Sequence, residues 1–178
     1  MRYPGLQGPV HDAAARSDRL GATRFSAGGA ATRLEKFVAD PYDLGRFVDA
    51  QNANGTYDRA VEELRRGRKT SHWMWFVFPQ IAGLGQSAMS RRFAISSLDE
   101  ASSYLEHPVL GPRLRECAGL VVEAKAPSAE QIFGGIDAQK LQSSMTLFLR
   151  AAPTEPLFTQ VLAQYFGGEA DAATDERI

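Results

Sequence analysis

The sequence has a single cysteine, Cys117, among its 178 residues. One cysteine cannot form an intramolecular disulfide, and no spacing of cysteine and histidine in the chain resembles a zinc site. The lack of a disulfide framework is typical of a reducing compartment, so we expect a cytoplasmic location. No motif indicates a metal ion, and we predict no cofactor.

Long apolar segments and an excess of one charge are also missing. No apolar run approaches the roughly 20 residues that a membrane-spanning helix requires, and no secretion signal is recognisable. Membrane insertion and secretion are therefore not expected. The 20 Lys and Arg residues balance 21 Asp and Glu residues, for a net charge of −1. A chain so close to neutral has no overall field that would attract nucleic acid.

The first 39 residues differ in composition from the rest of the chain. Small residues dominate positions 21–32, where Phe25 is the one aromatic side chain. This composition offers too little apolar surface to offset the entropy cost of ordering the segment. We therefore expect a flexible N-terminal extension at residues 1–39 and a single domain at residues 40–178.

Apolar residues in the predicted domain recur at helical spacing. Asp40 followed by proline is typical of a helix start, and an apolar face follows it. The Ser-x-x-Glu sequence from Ser97 to Glu100 matches a capping box, and a second capping box is predicted at Ser128. No pair of segments reads as two convincing strands. The sequence therefore predicts an all-α fold, a compact bundle of six or seven short helices.

The segment 71–80, Ser-His-Trp-Met-Trp-Phe-Val-Phe-Pro-Gln, contains both tryptophans of the chain. We call it the aromatic string. Large aromatic side chains each bury roughly 150–250 Å², so the string is predicted to lie at the centre of the core. Its aromatic content favours a strand, but a cap at Thr70 or Ser71 and a stop at Pro79 favour a short buried helix.

Polar side chains accompany the aromatic string and a later helix. Arginine and lysine neutralise phosphate, amides and hydroxyls donate hydrogen bonds, and an indole face covers a base. The predicted ligand-binding residues are His72, Trp75, Gln80, Arg91, Arg92, Lys140, Ser143 and Ser144. We predict that they bind a small anionic or nucleotide-like ligand in a pocket beside the string.

Three of these residues, His72, Lys140 and Ser143, are predicted to face one cavity. Histidine side chains in general titrate near neutral pH, which makes His72 the candidate for a general acid or base. No carboxylate partner for it is identifiable in the string, so the sequence leaves open whether a reaction is catalysed. Each polar residue can also serve the fold alone, by satisfying a buried backbone group or by facing water.

A protein-interaction module is the alternative function. Exposed tryptophans with arginines nearby are typical interface anchors. The aromatic string or the glycine loop at residues 83–85 would then contact a partner protein. Polar side chains directed into a cavity would favour ligand binding, whereas an exposed surface at Trp73 and Trp75 would favour the interaction module.

Motifs distributed over about residues 40–170 resemble one protein family. They lie at residues 40–44, 46–48 and 51, 71–76 and 78–80, 83–85, 104–105, 107–111, 132–134, 140–141, 143–148 and 166–168. In these segments the chain resembles the domain of unknown function 1810 family. The resemblance implies a compact, mainly helical bacterial domain and no established activity. It does not extend to residues 1–39.

Overall fold

The computed structural model describes residues 40–178, and the predicted N-terminal extension lies outside the described residues. Within them the chain forms ten α-helices and no strand, apart from an isolated parallel bridge between Ile81 and Ile95. The predicted all-α fold is therefore confirmed. In the same range, no helix combines the length and the apolar character needed to span a bilayer.

Six of the ten helices have eight or more residues, and the other four have four or five. Their bounds are α1 Gly45–Asn52, α2 Thr56–Arg65, α3 Met74–Val77, α4 Ala88–Arg92, α5 Leu98–Glu106, α6 Leu110–Glu123, α7 Ala129–Phe133, α8 Gly135–Ala151, α9 Pro156–Phe166 and α10 Ala172–Asp175. A 3₁₀ turn joins α1 to α2. The longest helix, α8, packs against α5, α7, α9 and α10, so it forms the central support of the domain.

Side-chain oxygens accept hydrogen bonds from backbone N–H groups at the starts of α5 and α1. Ser97 caps α5 as predicted, since its Oγ accepts a hydrogen bond of 3.2 Å from the N–H three residues later. The Asp40 carboxylate accepts hydrogen bonds from the N–H groups of Leu44 and Gly45, at 2.8 and 2.9 Å. Helix α1 therefore begins later than the Asp-Pro signal predicted. The predicted capping bond at Ser128 is not formed.

The aromatic string lies in the core, as predicted. Five of its large apolar side chains are almost completely buried, with exposed fractions of 5% or less for Trp73, Met74, Phe76, Val77 and Phe78, whereas Trp75 is half-buried. Neighbouring rings meet edge to face, for example Trp73 and Phe133 with centroids 6.3 Å apart. The string contains the short helix α3, but the predicted cap by Thr70 or Ser71 is wrong because α3 has no side-chain cap.

Polar side chains of α1, α5 and α6 form a hydrogen-bonded group at the end of α3. Gln51 of α1 donates from Nε2 to the Phe76 carbonyl oxygen at 2.8 Å, and Arg113 of α6 donates to Gln51 Oε1 at 3.1 Å. The hydroxyl oxygen of Tyr104 lies 3.2 Å from Gln51 Nε2. These bonds satisfy a carbonyl that the short helix leaves unpaired, so the aromatic string has a fixed position.

Cys117 of α6 is completely buried. Burial raises the pKa of its thiol to about 12. A thiol with so high a pKa is protonated at neutral pH and is a poor nucleophile. Cys117 therefore serves the packing of the core.

Candidate functional site

The carboxylate of Glu63 on α2 holds the chain segment that leads into the aromatic string. It accepts hydrogen bonds from the Thr70 N–H and hydroxyl, both at 2.8 Å, from the Ser71 N–H at 3.1 Å and from Trp73 Nε1 at 2.8 Å. Burial alone would raise the pKa of Glu63, but these hydrogen bonds outweigh it and lower the pKa to about 2. Ionised Glu63 thus fixes the turn before α3 and the orientation of Trp73.

Two lysines share one carboxylate above the two tryptophan rings. Asp137 Oδ2 lies 2.6 Å from Lys69 Nζ, and Asp137 Oδ1 lies 2.7 Å from Lys140 Nζ. Lys69 Nζ is 5.2 Å from the centroid of the Trp73 ring, and Lys140 Nζ is 4.7 Å from that of Trp75. Such cation–π contacts add to the ion pairs. Because one carboxylate faces two ammonium groups, this lysine cluster carries one net positive charge.

The lysine cluster is largely shielded from water. The exposed fractions of the side chains are 9% for Lys69, 17% for Lys140 and 18% for Asp137. Burial would raise the pKa of Asp137, but hydrogen bonds from Lys140 and Lys69 outweigh it and lower the pKa. The carboxyl is therefore ionised at neutral pH. Charges act more strongly in such surroundings than in bulk water, so the excess positive charge favours an anion nearby.

A cavity of about 510 Å³ opens beside Lys140. Its walls come from the glycine loop after the aromatic string, from the N-terminal half of α8 and from the chain around α10. The lining residues are Gln80, Leu84, Gly85, Ile136, Gln139, Lys140, Gln142, Ser143, Asp171 and Ala173. The volume lies within the range of roughly 300–1,000 Å³ that is typical of small-molecule sites.

One polar pair in the cavity wall joins α8 to α10. Ser143 Oγ donates to Asp171 Oδ2 at 2.8 Å and lies 3.1 Å from the Gln139 carbonyl oxygen. The same Asp171 oxygen accepts hydrogen bonds from the Thr174 N–H at 3.1 Å and from its hydroxyl at 2.6 Å. The Ser143 hydroxyl is therefore already hydrogen-bonded within the protein, and its main contribution is to position Asp171.

Three other polar groups of the wall have unused hydrogen-bonding capacity. The half-buried Gln80 side-chain amide makes no hydrogen bond within residues 40–178. Lys140 Nζ has three protons and, in that range, one hydrogen-bond partner, Asp137. Asp171 Oδ1 accepts no hydrogen bond from the described residues, and it is not a buried atom. The cavity thus offers a cation, an amide and a carboxylate oxygen to a ligand.

The structure brings three of the eight predicted ligand-binding residues to this cavity, namely Gln80, Lys140 and Ser143. Trp75 is half-buried beneath Lys140 but does not line the cavity. His72 is exposed and also lies outside the lining, so the predicted meeting of His72 with Lys140 and Ser143 does not occur there. The Ser71 N–H and Trp73 Nε1, on either side of His72, donate hydrogen bonds to Glu63 and hold this turn against α2. A catalytic role for His72 stays a prediction.

The remaining three predicted residues lie elsewhere. Ser144 is fully buried on the core face of α8, and its Oγ has no partner in the described part of the chain. Arg91 and Arg92 are exposed at the end of α4. The guanidinium of Arg92 lies 5.2 Å from the centroid of the Phe93 ring and borders a separate cavity. None of the three lines the cavity beside Lys140.

Sequence reasoning missed Glu63, Lys69, Asp137 and Asp171 as parts of these arrangements. The sequence contains a local signal for two of them, Asp137 and Glu63. Asp137 precedes Lys140 by three residues on a helix, a spacing that allows an ion pair. Glu63 lies on the apolar face of α2, where an acidic side chain requires buried donors. Lys69 carries no comparable local signal, because its partner Asp137 lies far away in sequence. Asp171 has the local position of a helix cap before Thr174, but no local pattern predicts its bond to Ser143.

Residues 41–178 match the family model described as a protein of unknown function, DUF1810. The chain belongs to this family. It is also 55% identical to a conserved hypothetical protein from Mycobacterium tuberculosis of known crystal structure, with a TM-score of 0.74. That match covers 77% of this chain and 96% of the other, whereas no curated protein matches the sequence. All residues that line the cavity lie within the DUF1810 match.

Proposed function

We propose that this DUF1810 domain binds a small anionic ligand in the cavity beside Lys140. The observation that carries the proposal is the state of Lys140, which is largely buried and lines the cavity, with one hydrogen-bond partner among the described residues. A buried polar group without partners costs about 1–3 kcal/mol. Spare ammonium protons in such surroundings favour a ligand that accepts them.

The lysine cluster supports a negatively charged ligand. Asp137 directs one oxygen to Lys69 and the other to Lys140, so it offsets two positive charges with one negative charge. An anion in the cavity would supply the missing charge. Hydrogen bonds between an ammonium group and an anionic oxygen are roughly twice as strong as those between neutral groups. Gln80, which lines the same cavity, can add a neutral hydrogen bond.

The anionic group, rather than a base, is the part of the ligand that the site favours. A nucleotide base would need an aromatic face, and the indole of Trp75 has the Lys140 ammonium 4.7 Å from its centroid. Trp75 also does not line the cavity. A nucleotide-like ligand would therefore be held mainly by its phosphate.

Calorimetric titration of the full chain with inorganic phosphate and with adenosine monophosphate tests the proposal. We expect both to bind, and Lys140→Met to weaken binding at least tenfold because it removes the cation from the wall. Lys125→Met is the matched control, since Lys125 is exposed and does not line the cavity. Binding that is absent in the wild type, or equally strong in the two variants, would contradict the proposal.

The interaction module remains as a narrower second candidate. Trp73 is completely buried, so it does not form the exposed aromatic surface that this function requires. One observation favours a partner contact nearby: Ile136, on the cavity rim, is 75% exposed. The predicted contact through the glycine loop would then include Ile136. Replacement of Ile136 by serine would weaken such a contact without removing Lys140.

A further inference from the structure

We infer that the ligand of this cavity is a phosphorylated polyol and that Asp171 is the residue that selects its hydroxyl groups. The inference rests on the proposed function, because it takes Lys140 as the site of the anionic group. It adds a second requirement, that the ligand also donates hydrogen bonds to Asp171.

The two oxygens of Asp171 have different roles. Oδ2 accepts three hydrogen bonds, one from Ser143 and two from Thr174, and these join α8 to the first turn of α10. Oδ1 accepts none within residues 40–178 and is not a buried atom. Because Asp171 lines the same cavity as Lys140, the cavity holds a carboxylate oxygen without a partner among the described residues as well as the cation.

A carboxylate in the wall disfavours a ligand that is only an anion. Repulsion from Asp171 would oppose the attraction of Lys140, unless the ligand also donates a hydrogen bond to Oδ1. Hydroxyl and ammonium groups are the donors that a small ligand can offer there. An anion that also carries a hydrogen-bond donor therefore suits both Lys140 and Asp171.

The side-chain amides that line the cavity favour a hydroxyl group over an ammonium group as the donor. Gln80, Gln139 and Gln142 line it, and the Gln80 amide has both its oxygen and its NH₂ group without a partner among the described residues. A hydroxyl group donates and accepts, so adjacent hydroxyls can bind an amide and a carboxylate together. An ammonium group only donates and would leave the amide protons unmatched. A polyol is therefore favoured over a zwitterion.

The experiment compares three phosphate monoesters by calorimetric titration of the full chain: ribose 5-phosphate, n-butyl phosphate and O-phosphoethanolamine. They share the phosphate but carry hydroxyls, no donor or an ammonium group at the other end. We expect ribose 5-phosphate to bind at least tenfold more tightly than the other two. This comparison uses the wild-type protein and does not depend on any variant.

The variant Asp171→Asn then tests whether Asp171 is the residue that selects a ligand with hydroxyl groups. The amide oxygen can still cap α10, but the free anionic oxygen is lost. We expect the affinity for ribose 5-phosphate to fall at least fivefold and that for n-butyl phosphate to stay equal or rise. Asp175→Asn is the matched control, because Asp175 lies on the same helix, pairs with Arg150 at 2.9 Å and does not line the cavity. It should change neither affinity, and circular dichroism checks that both variants are folded.

The outcomes separate the inference from the proposed function. Equal binding of ribose 5-phosphate and n-butyl phosphate, both dependent on Lys140, would overturn the role of Asp171 and leave the anion site standing. Tightest binding of O-phosphoethanolamine would also overturn it, since Asp171 would then recognise a cation. If the Asp175 variant lost as much affinity for ribose 5-phosphate as the Asp171 variant, selection by Asp171 would be wrong. If none of the three phosphate monoesters binds, both the inference and the proposed function are wrong.

Discussion

Glu63 and Asp171 are both ionisable carboxylates in contact with the elements around the aromatic string, but they differ in how their oxygens are used. Both oxygens of Glu63 accept hydrogen bonds from the turn before α3 and from Trp73. Asp171 uses one oxygen for the fold and leaves the other free of partners among the described residues. A carboxylate whose bonds are all internal stabilises the structure, whereas one with an unused oxygen in a cavity wall can recognise a ligand.

The largest expected effect follows from removing the fully bonded carboxylate. Glu63→Ala should lower the free energy of unfolding by about 4 kcal/mol, because it leaves two backbone N–H groups and the Trp73 indole N–H without their acceptor. Urea unfolding measures the change. Glu62→Ala is the control, since that side chain is 49% exposed and pairs with Arg66 on the surface. Equal losses in the two variants would show that the Glu63 bonds contribute little.

Acid should remove most of the same contribution. The pKa of Glu63 is about 2 in the folded protein against an ordinary value of 4.5, so its ionised form stabilises the fold above pH 4.5. This contribution, about 3 kcal/mol, is lost as the pH falls from 4.5 towards 2. Urea unfolding at pH 6 and pH 3 should therefore show a smaller loss for Glu63→Gln than for the wild type. An identical pH dependence in both proteins would rule out Glu63 as the source.

The contrast also explains how much of the fold the sequence predicted. Local patterns were sufficient for the all-α class, for the buried aromatic string and for the Ser97 cap, because each depends on residues within one or two helical turns. The Glu63 bonds were missed because they join residues seven to ten positions apart across a turn. The predicted cap at Thr70 or Ser71 also failed: the Thr70 hydroxyl donates to Glu63, and the Ser71 hydroxyl has no hydrogen-bond partner among the described residues.

The candidate site was predicted in part. Gln80, Lys140 and Ser143 were identified because polar residues next to apolar ones in a buried segment require partners or a cavity. The same pattern wrongly placed Ser144 with them: one residue further along α8 the side chain turns by about 100° and faces the core. Asp171 was not predicted, because it reaches the cavity through the packing of α10 on α8. That contact has no signature in the local sequence.

The lysine cluster gives an intermediate case, in which the carboxylate is shared. Asp137→Ala should lower the free energy of unfolding by about 2 kcal/mol, because it leaves two largely buried ammonium groups without their common partner. Urea unfolding measures this effect. Asp175→Ala, which breaks an ion pair in which both side chains are more than one third exposed, should cost less than about 1 kcal/mol. If Asp137→Ala lowers the free energy of unfolding by no more than Asp175→Ala does, water already solvates both lysines.

The smallest expected effect belongs to the residue on which the proposed function depends. Lys140→Met should change the free energy of unfolding by no more than about 0.5 kcal/mol, because Asp137 keeps Lys69 as its partner and a methionine can still pack on the Trp75 ring. The same substitution is expected to abolish most anion binding. Urea unfolding and phosphate titration of one preparation measure both quantities. A loss of stability above about 1.5 kcal/mol would place Lys140 with Glu63, as a residue whose interactions serve the fold, and would remove the main support for an anion site in this cavity.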